Sequence, residues 1–207
     1  MKIIISVAYF VFFSFSGLAA AQDPVAEEIK RIELSSKIAK MVGADQAFRF
    51  GGTVARKKGI QWEEISQHPL FQRRLAKIDP ENANKIKAII KEHGWPKISD
   101  FGEYTARNTW LLVQHMDSDV TFQEHILEQM KILLTKNEVI KSDYAYLYDR
   151  VLVNREKLQI YGTQGNCVGK QWEPKPIENP AEVDKRRAEM GMSTLEEYKK
   201  MVKDVCI

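Results

Sequence analysis

Beyond residue 22, apolar side chains recur at intervals of three and four, the spacing of one buried helix face. Asp23-Pro24 places a capping carboxylate before a proline at the first helical position, and Ile29, Ile32, Ile38 and Met41 follow in register. Asp79-Pro80-Glu81 repeats the device ahead of Ile86, Ile89 and Ile90, with a stop predicted at Gly94 before Pro96. Asp100 with Glu103 has the capping-box spacing and precedes Trp110, Leu111, Val113 and Met116. A further helix is predicted from Asp119, with Phe122, Ile126, Met130 and Leu133 on one face. Another follows Ser142 and buries Tyr144, Leu147, Tyr148 and Val151. Asn179-Pro180 and Ser193 with Glu196 open two shorter helices separated by Gly191.

The helical rhythm breaks between Leu158 and Trp172, where polar and apolar residues alternate around Gly162, Gly165-Asn166 and Gly169. That pattern predicts a short β-hairpin or an ordered loop at 158–172, followed by an extended connector from Glu173 to Pro180. Residues 43–62 are weakly helical, punctuated by Gly43, Gly51, Gly52 and Gly59. The expected fold is mainly α: a single compact helical domain with that hairpin or loop. Its organisation reads as a signal peptide at 1–21, an N-terminal helical region at 22–80 and a helical domain at 81–207.

The first residues look like a targeting segment. Lys2 precedes an almost unbroken apolar run from Ile3 to Phe15, and Gly17-Leu18-Ala19-Ala20-Ala21 offers small side chains for cleavage. The run is too short for a bilayer anchor, and nothing later approaches the ~20 apolar residues of a membrane helix. The expected product is periplasmic or extracellular, with no integral membrane segment in the mature chain. Lys and Arg number 31 against 28 Asp and Glu, and the signs are interspersed. No basic stripe with interleaved aromatics is present, which argues against nucleic acid as a partner. The two cysteines, Cys167 and Cys206, match no zinc or thioredoxin spacing; in an exported protein such a pair predicts a disulfide.

Several polar residues are costly to place in so apolar a chain. Gln114-His115 ends the most apolar helix, and the run continues through Asp117 and Asp119. On a continuous helix His115 and Asp119 would share a face, an arrangement suited to a general base; the plainer reading is that Asp119 or Ser118 caps the next helix. Asp149-Arg150 lies among Tyr144, Tyr146 and Tyr148, as an inter-helix salt bridge or as an anion clamp with a histidine orienter. Gln159, Tyr161, Thr163 and Gln164 crowd hydrogen-bonding groups around Gly162, fit for a ligand or for a polar surface strand. His93-Gly94-Trp95-Pro96 reads as a helix terminus or a pocket edge. Arg186-Arg187 is expected on a solvated helix face, and His68 and His125 as structural or surface residues.

In this order, Gly94-Trp95-Pro96, Trp110 with Gln114-His115-x-Asp117-x-Asp119, Asp149-Arg150, and Gln159-x-Tyr161-Gly162-Thr163-Gln164 resemble a bacterial domain family of unknown function. The resemblance spans residues 86–198 and implies no activity. It does imply that the polar blocks form one unit.

The functional expectation is therefore a small exported hydrolase or lyase with His115 as general acid or base, oriented by Asp119 or Asp149. Arg150, Gln114, Tyr161, Gln164 and Trp95 would bind the substrate, a small molecule, glycan or peptide. The alternative is a non-catalytic ligand-binding module using the same pocket. A metal site at His115 with Asp117 or Asp119 is disfavoured because no second histidine stands at ligand spacing, and no cofactor is expected.

Overall fold

The computed structural model describes residues 23–60, 62–169 and 171–206; the expected signal peptide lies outside them. Among the described residues the chain forms eight α-helices and one two-stranded antiparallel hairpin, the mainly α architecture expected. None of these helices is long and apolar enough to cross a membrane.

Helix α1 (Pro24–Lys57) starts where Asp23 Oδ1 accepts the Val25 N–H at 3.0 Å. It runs unbroken through Gly43, where local propensity predicted only weak helix. A glycine costs about 1 kcal/mol in a helix interior, and the burial of Leu34, Ile38, Met41 and Val42 outweighs it. After the short α2 (Trp62–Gln67), α3 (Pro69–His93) is capped by His68, whose Nδ1 accepts the Leu70 N–H at 3.2 Å.

Pro80, read from the sequence as a helix start, sits in the middle of α3. It lacks the N–H for one helical bond, a defect of about 3 kcal/mol. Burial of Phe71 and Ile78 on one side and of Ile86, Ile89 and Ile90 on the other keeps the two halves in one helix. The predicted stop holds: Gly94 takes φ 72° and donates its N–H to Ile90 O.

Helix α4 (Ile98–Gln114) is the centre of the bundle and packs against α1, α3 and α6. Its start differs from the Asp100/Glu103 expectation. The helix follows Lys97, and Gly102 breaks it with φ 75° and ψ 163°. Helices α5 (Val120–Leu134) and α6 (Lys141–Asn154) pack on each other, and Ile126, Met130 and Leu147 join Ile38, Ile86 and Val113 in the core.

The remaining chain forms a smaller lobe. Strands β1 (Gly165–Val168) and β2 (Gln171–Pro174) pair with Cys167 opposite Trp172. The indole of Trp172 lies where a Cβ on Gly165 would stand, 2.3 Å away, so only glycine fits. Helix α7 (Val183–Glu189) follows a 3-10 turn at Pro180–Glu182. Helix α8 (Leu195–Met201) is capped by a Thr194/Glu197 box, one residue later than Ser193/Glu196. Cys167 and Cys206 are joined, with sulfurs 2.07 Å apart, tying the C-terminal turn to the hairpin.

Candidate functional site

The polar blocks singled out in the sequence separate into a clamp and a cluster. The clamp is built on Asp149, which is fully buried on α6. Its Oδ1 accepts the N–H groups of Ile160 (2.8 Å) and Tyr161 (3.0 Å). Its Oδ2 accepts the N–H and the hydroxyl of Thr163, both at 2.9 Å. Burial raises its pKa against the pull of these donors. Gln159, also fully buried, closes the same loop: its amide nitrogen donates to the carbonyls of Gln164 (2.8 Å) and Lys175 (2.7 Å), and its Oε1 accepts the Gln164 N–H. Gln164 donates its own amide to Thr163 Oγ1 at 3.0 Å.

The C-terminal lobe bonds onto this loop through two arginines. Arg187 was expected on a solvated face, yet it is 1% exposed. It donates to Ser193 O (2.6 Å) and Tyr161 O (2.7 Å), and its guanidinium stands 5.0 Å from the Tyr198 ring centroid. Arg186 donates to Ile160 O at 2.9 Å. Carbonyls in an irregular corner lack sheet or helix partners, and a planar guanidinium can satisfy two at once. The Tyr161 ring lies edge-on to Tyr148, with its phenol raised in pKa by burial and by the charge of Asp149.

The cluster lies across the bundle. Asp45 on α1 is 2% exposed, and its Oδ2 stands 3.0 Å from Nδ1 of His115, the residue that caps α4. The distance is that of an ion pair, although the ring N–H is not aligned as a hydrogen bond. Gln46 donates to the same oxygen at 2.7 Å, and Arg49 Nε lies 3.1 Å from Oδ1. A second Arg49 nitrogen reaches Asp79 Oδ1 on α3 at 2.9 Å. Burial works to raise the Asp45 pKa, but His115 and Arg49 prevail and hold it low. Asp79 goes the other way: burial raises its pKa more than Arg49 lowers it, and the charge of Asp45 adds to the rise. Two carboxylates on one arginine thus titrate apart. The His115 side chain keeps 15% of its surface open, and Nε2 has no protein partner among the described residues.

The other expected carboxylates have different neighbours. Asp119 caps α5 by accepting the Phe122 N–H at 3.0 Å and pairs with Lys87 of α3. Asp117 takes a two-pronged bond from Arg150, with Nε at 2.6 Å, and a third from Asn154 at 3.0 Å. Burial resists, but these donors lower its pKa. The carbonyl of Gln114 accepts from Gln123, and Trp95 is buried with its indole N–H unpartnered among the described residues. Among those residues no group of three or more His, Cys, Asp or Glu is placed to hold a metal.

Sequence reasoning missed Asp45, Arg49 and Asp79. Asp45 lies three, four and seven residues beyond Val42, Met41 and Ile38, on the buried stripe, and its i, i+4 partner is Arg49. That was the available signal, masked by the glycines around it. Asp79 ahead of Pro80 carries only the signal of a helix cap.

Fold and site define a mainly helical domain with a disulfide-closed C-terminal lobe and a buried acid–imidazole–guanidinium cluster. Residues 32–206 match DUF6624, a family of unknown function, and the chain belongs to that family. No curated protein and no solved structure matches it.

Proposed function

We propose that this chain is a small exported hydrolase or lyase in which His115 is the general acid or base and Asp45 holds its ring. The observation that carries the reading is the 3.0 Å approach of a buried carboxylate to Nδ1, with Nε2 left without a protein partner among the described residues. A buried carboxylate this close to one ring nitrogen holds the imidazole in place and leaves the other nitrogen to face a substrate. The depressed Asp45 pKa keeps that carboxylate charged beside the ring. Asp45 takes the orienting place that the sequence offered to Asp119 or Asp149, which are engaged elsewhere: Asp119 with Lys87 and the Phe122 N–H, Asp149 with the 160–163 loop. The leader-like first residues and the cysteine pair support export.

The test assays the mature protein on ester, phosphoester, glycoside and peptide substrates across pH 5 to 8. Turnover that falls about 100-fold or more in both His115→Asn and Asp45→Asn, with folding retained, is the expected result. Turnover that survives His115→Asn, or none on any substrate, overturns the reading.

A further inference from the structure

Between α1 and α3 runs a groove whose walls are strongly cationic. It has two halves, of about 570 and 330 Å³, which share Lys40, Met41 and Lys85. Along α1 it extends from Ile32 to Ala44, about 18 Å at helical rise. The walls carry Lys37, Lys40, Arg74, Lys77 and Lys85 against two acids, Glu33 and Glu81. Among the described residues only Lys85 of these cations has a carboxylate oxygen within 4.0 Å, that of Glu81. The floor is apolar, formed by Met41 and Ile78, and Ile32, 60% exposed, extends it at one end.

One further residue marks the groove. Asn82 lines it and is 8% exposed, and its amide nitrogen has no hydrogen-bond partner among the described residues. A buried amide donor without an acceptor costs about 1–3 kcal/mol, and a turn of the amide would offer it to an oxygen lying in the groove.

We propose that this groove seats an acidic amphipathic helix of a partner protein. The cations are strung along both walls rather than converging on one point, so they fit a rod of charge better than a single small anion. An apolar floor between charged rims asks for a ligand with an apolar stripe and acidic flanks, the geometry of a helix in a groove. A flat lipid surface would meet the rims and miss the floor. The complementary charge also steers encounter. The proposal is independent of the role of His115, although the groove reaches Ala44 and Ile78, the chain neighbours of Asp45 and Asp79.

The probe is a synthetic peptide of about four helical turns, with leucines at i, i+3, i+4 and i+7 and glutamates elsewhere. Its binding to the mature chain is followed by fluorescence anisotropy at near-physiological salt, beside a scrambled peptide of the same composition, phosphatidylglycerol vesicles and duplex DNA. The expected result is at least about tenfold preference for the amphipathic peptide over the scrambled one, and an equal loss in Lys40→Glu/Lys77→Glu. The milder Lys40→Gln/Lys77→Gln pair, with unchanged helical circular dichroism, must weaken binding in the same direction. No binding at about 1 mM peptide, equal binding of the scrambled peptide, indifference to either variant pair, or tighter binding of vesicles or DNA overturns the proposal.

Discussion

Asp149 grips Thr163 twice with one oxygen, accepting both its backbone N–H and its hydroxyl at 2.9 Å. Because the same carboxylate also takes the N–H groups of Ile160 and Tyr161, it substitutes for the ladder that an irregular loop lacks. Asp149→Ala leaves those buried donors unpaired and should lower unfolding free energy by about 3–5 kcal/mol in urea titrations at pH 7. Thr163→Val removes one donor to Asp149 and the acceptor of the Gln164 amide while keeping the shape, so about 1–2 kcal/mol is expected.

Arg187 should not tolerate lysine. An ammonium cannot reach Ser193 O and Tyr161 O in the planar fork that the guanidinium uses while facing the Tyr198 ring. Arg187→Lys is expected to cost about 2–3 kcal/mol in the same titration despite keeping the charge. A cost indistinguishable from zero would show that the buried charge alone matters.

Stability should depend on pH through Asp143. Its side chain is 3% exposed, and burial pushes its pKa up to about 6, with Arg107 at 3.2 Å opposing part of the rise. A carboxyl raised above its unfolded value binds its proton more tightly in the folded chain. Its contribution is therefore fully present below pH ~4 and lost as pH rises through about 6, by at most about 3 kcal/mol. Unfolding measured at pH 4, 5, 6 and 7 should show this decline in the native sequence, and Asp143→Asn should flatten it.

Reduction of the Cys167–Cys206 bridge releases a loop with a sequence separation of 39. Loop-closure entropy sets an upper bound of about 4 kcal/mol on the loss. Calorimetry of Cys167→Ser/Cys206→Ser should show a lowered Tm. Hydrogen exchange should rise first in the hairpin and α8 and not in α5, which lies far from the bridge in the chain.

The helices were legible where periodicity and a cap agreed. Asp23 and Asp119 both accept a backbone N–H at the predicted starts. Pro80 and Gly43 misled because their signals are local, whereas the continuity of α3 and α1 is set by apolar faces buried along their length. The polar residues were legible as costly but not as partners. His115 stood out, while Asp45 lay far up the chain, and only packing of α1 on α4 brings them together. Asp149 and Arg187 show the reverse: both answer to loop carbonyls and N–H groups, which carry no side-chain signature in a sequence.

The bridge between Cys167 and Cys206 also changes what a mechanical load can do. A pull applied between the N-terminus and residue 206 is carried by the disulfide, so the intervening residues, with Trp172, Arg187 and Tyr198 among them, bear no tension. About 130 Å of extensible length stays locked while the bundle is drawn out, and it appears only when a reductant is added. The C-terminal lobe is in that sense a knot-free bead at the end of the chain, shielded from any force that unravels the rest.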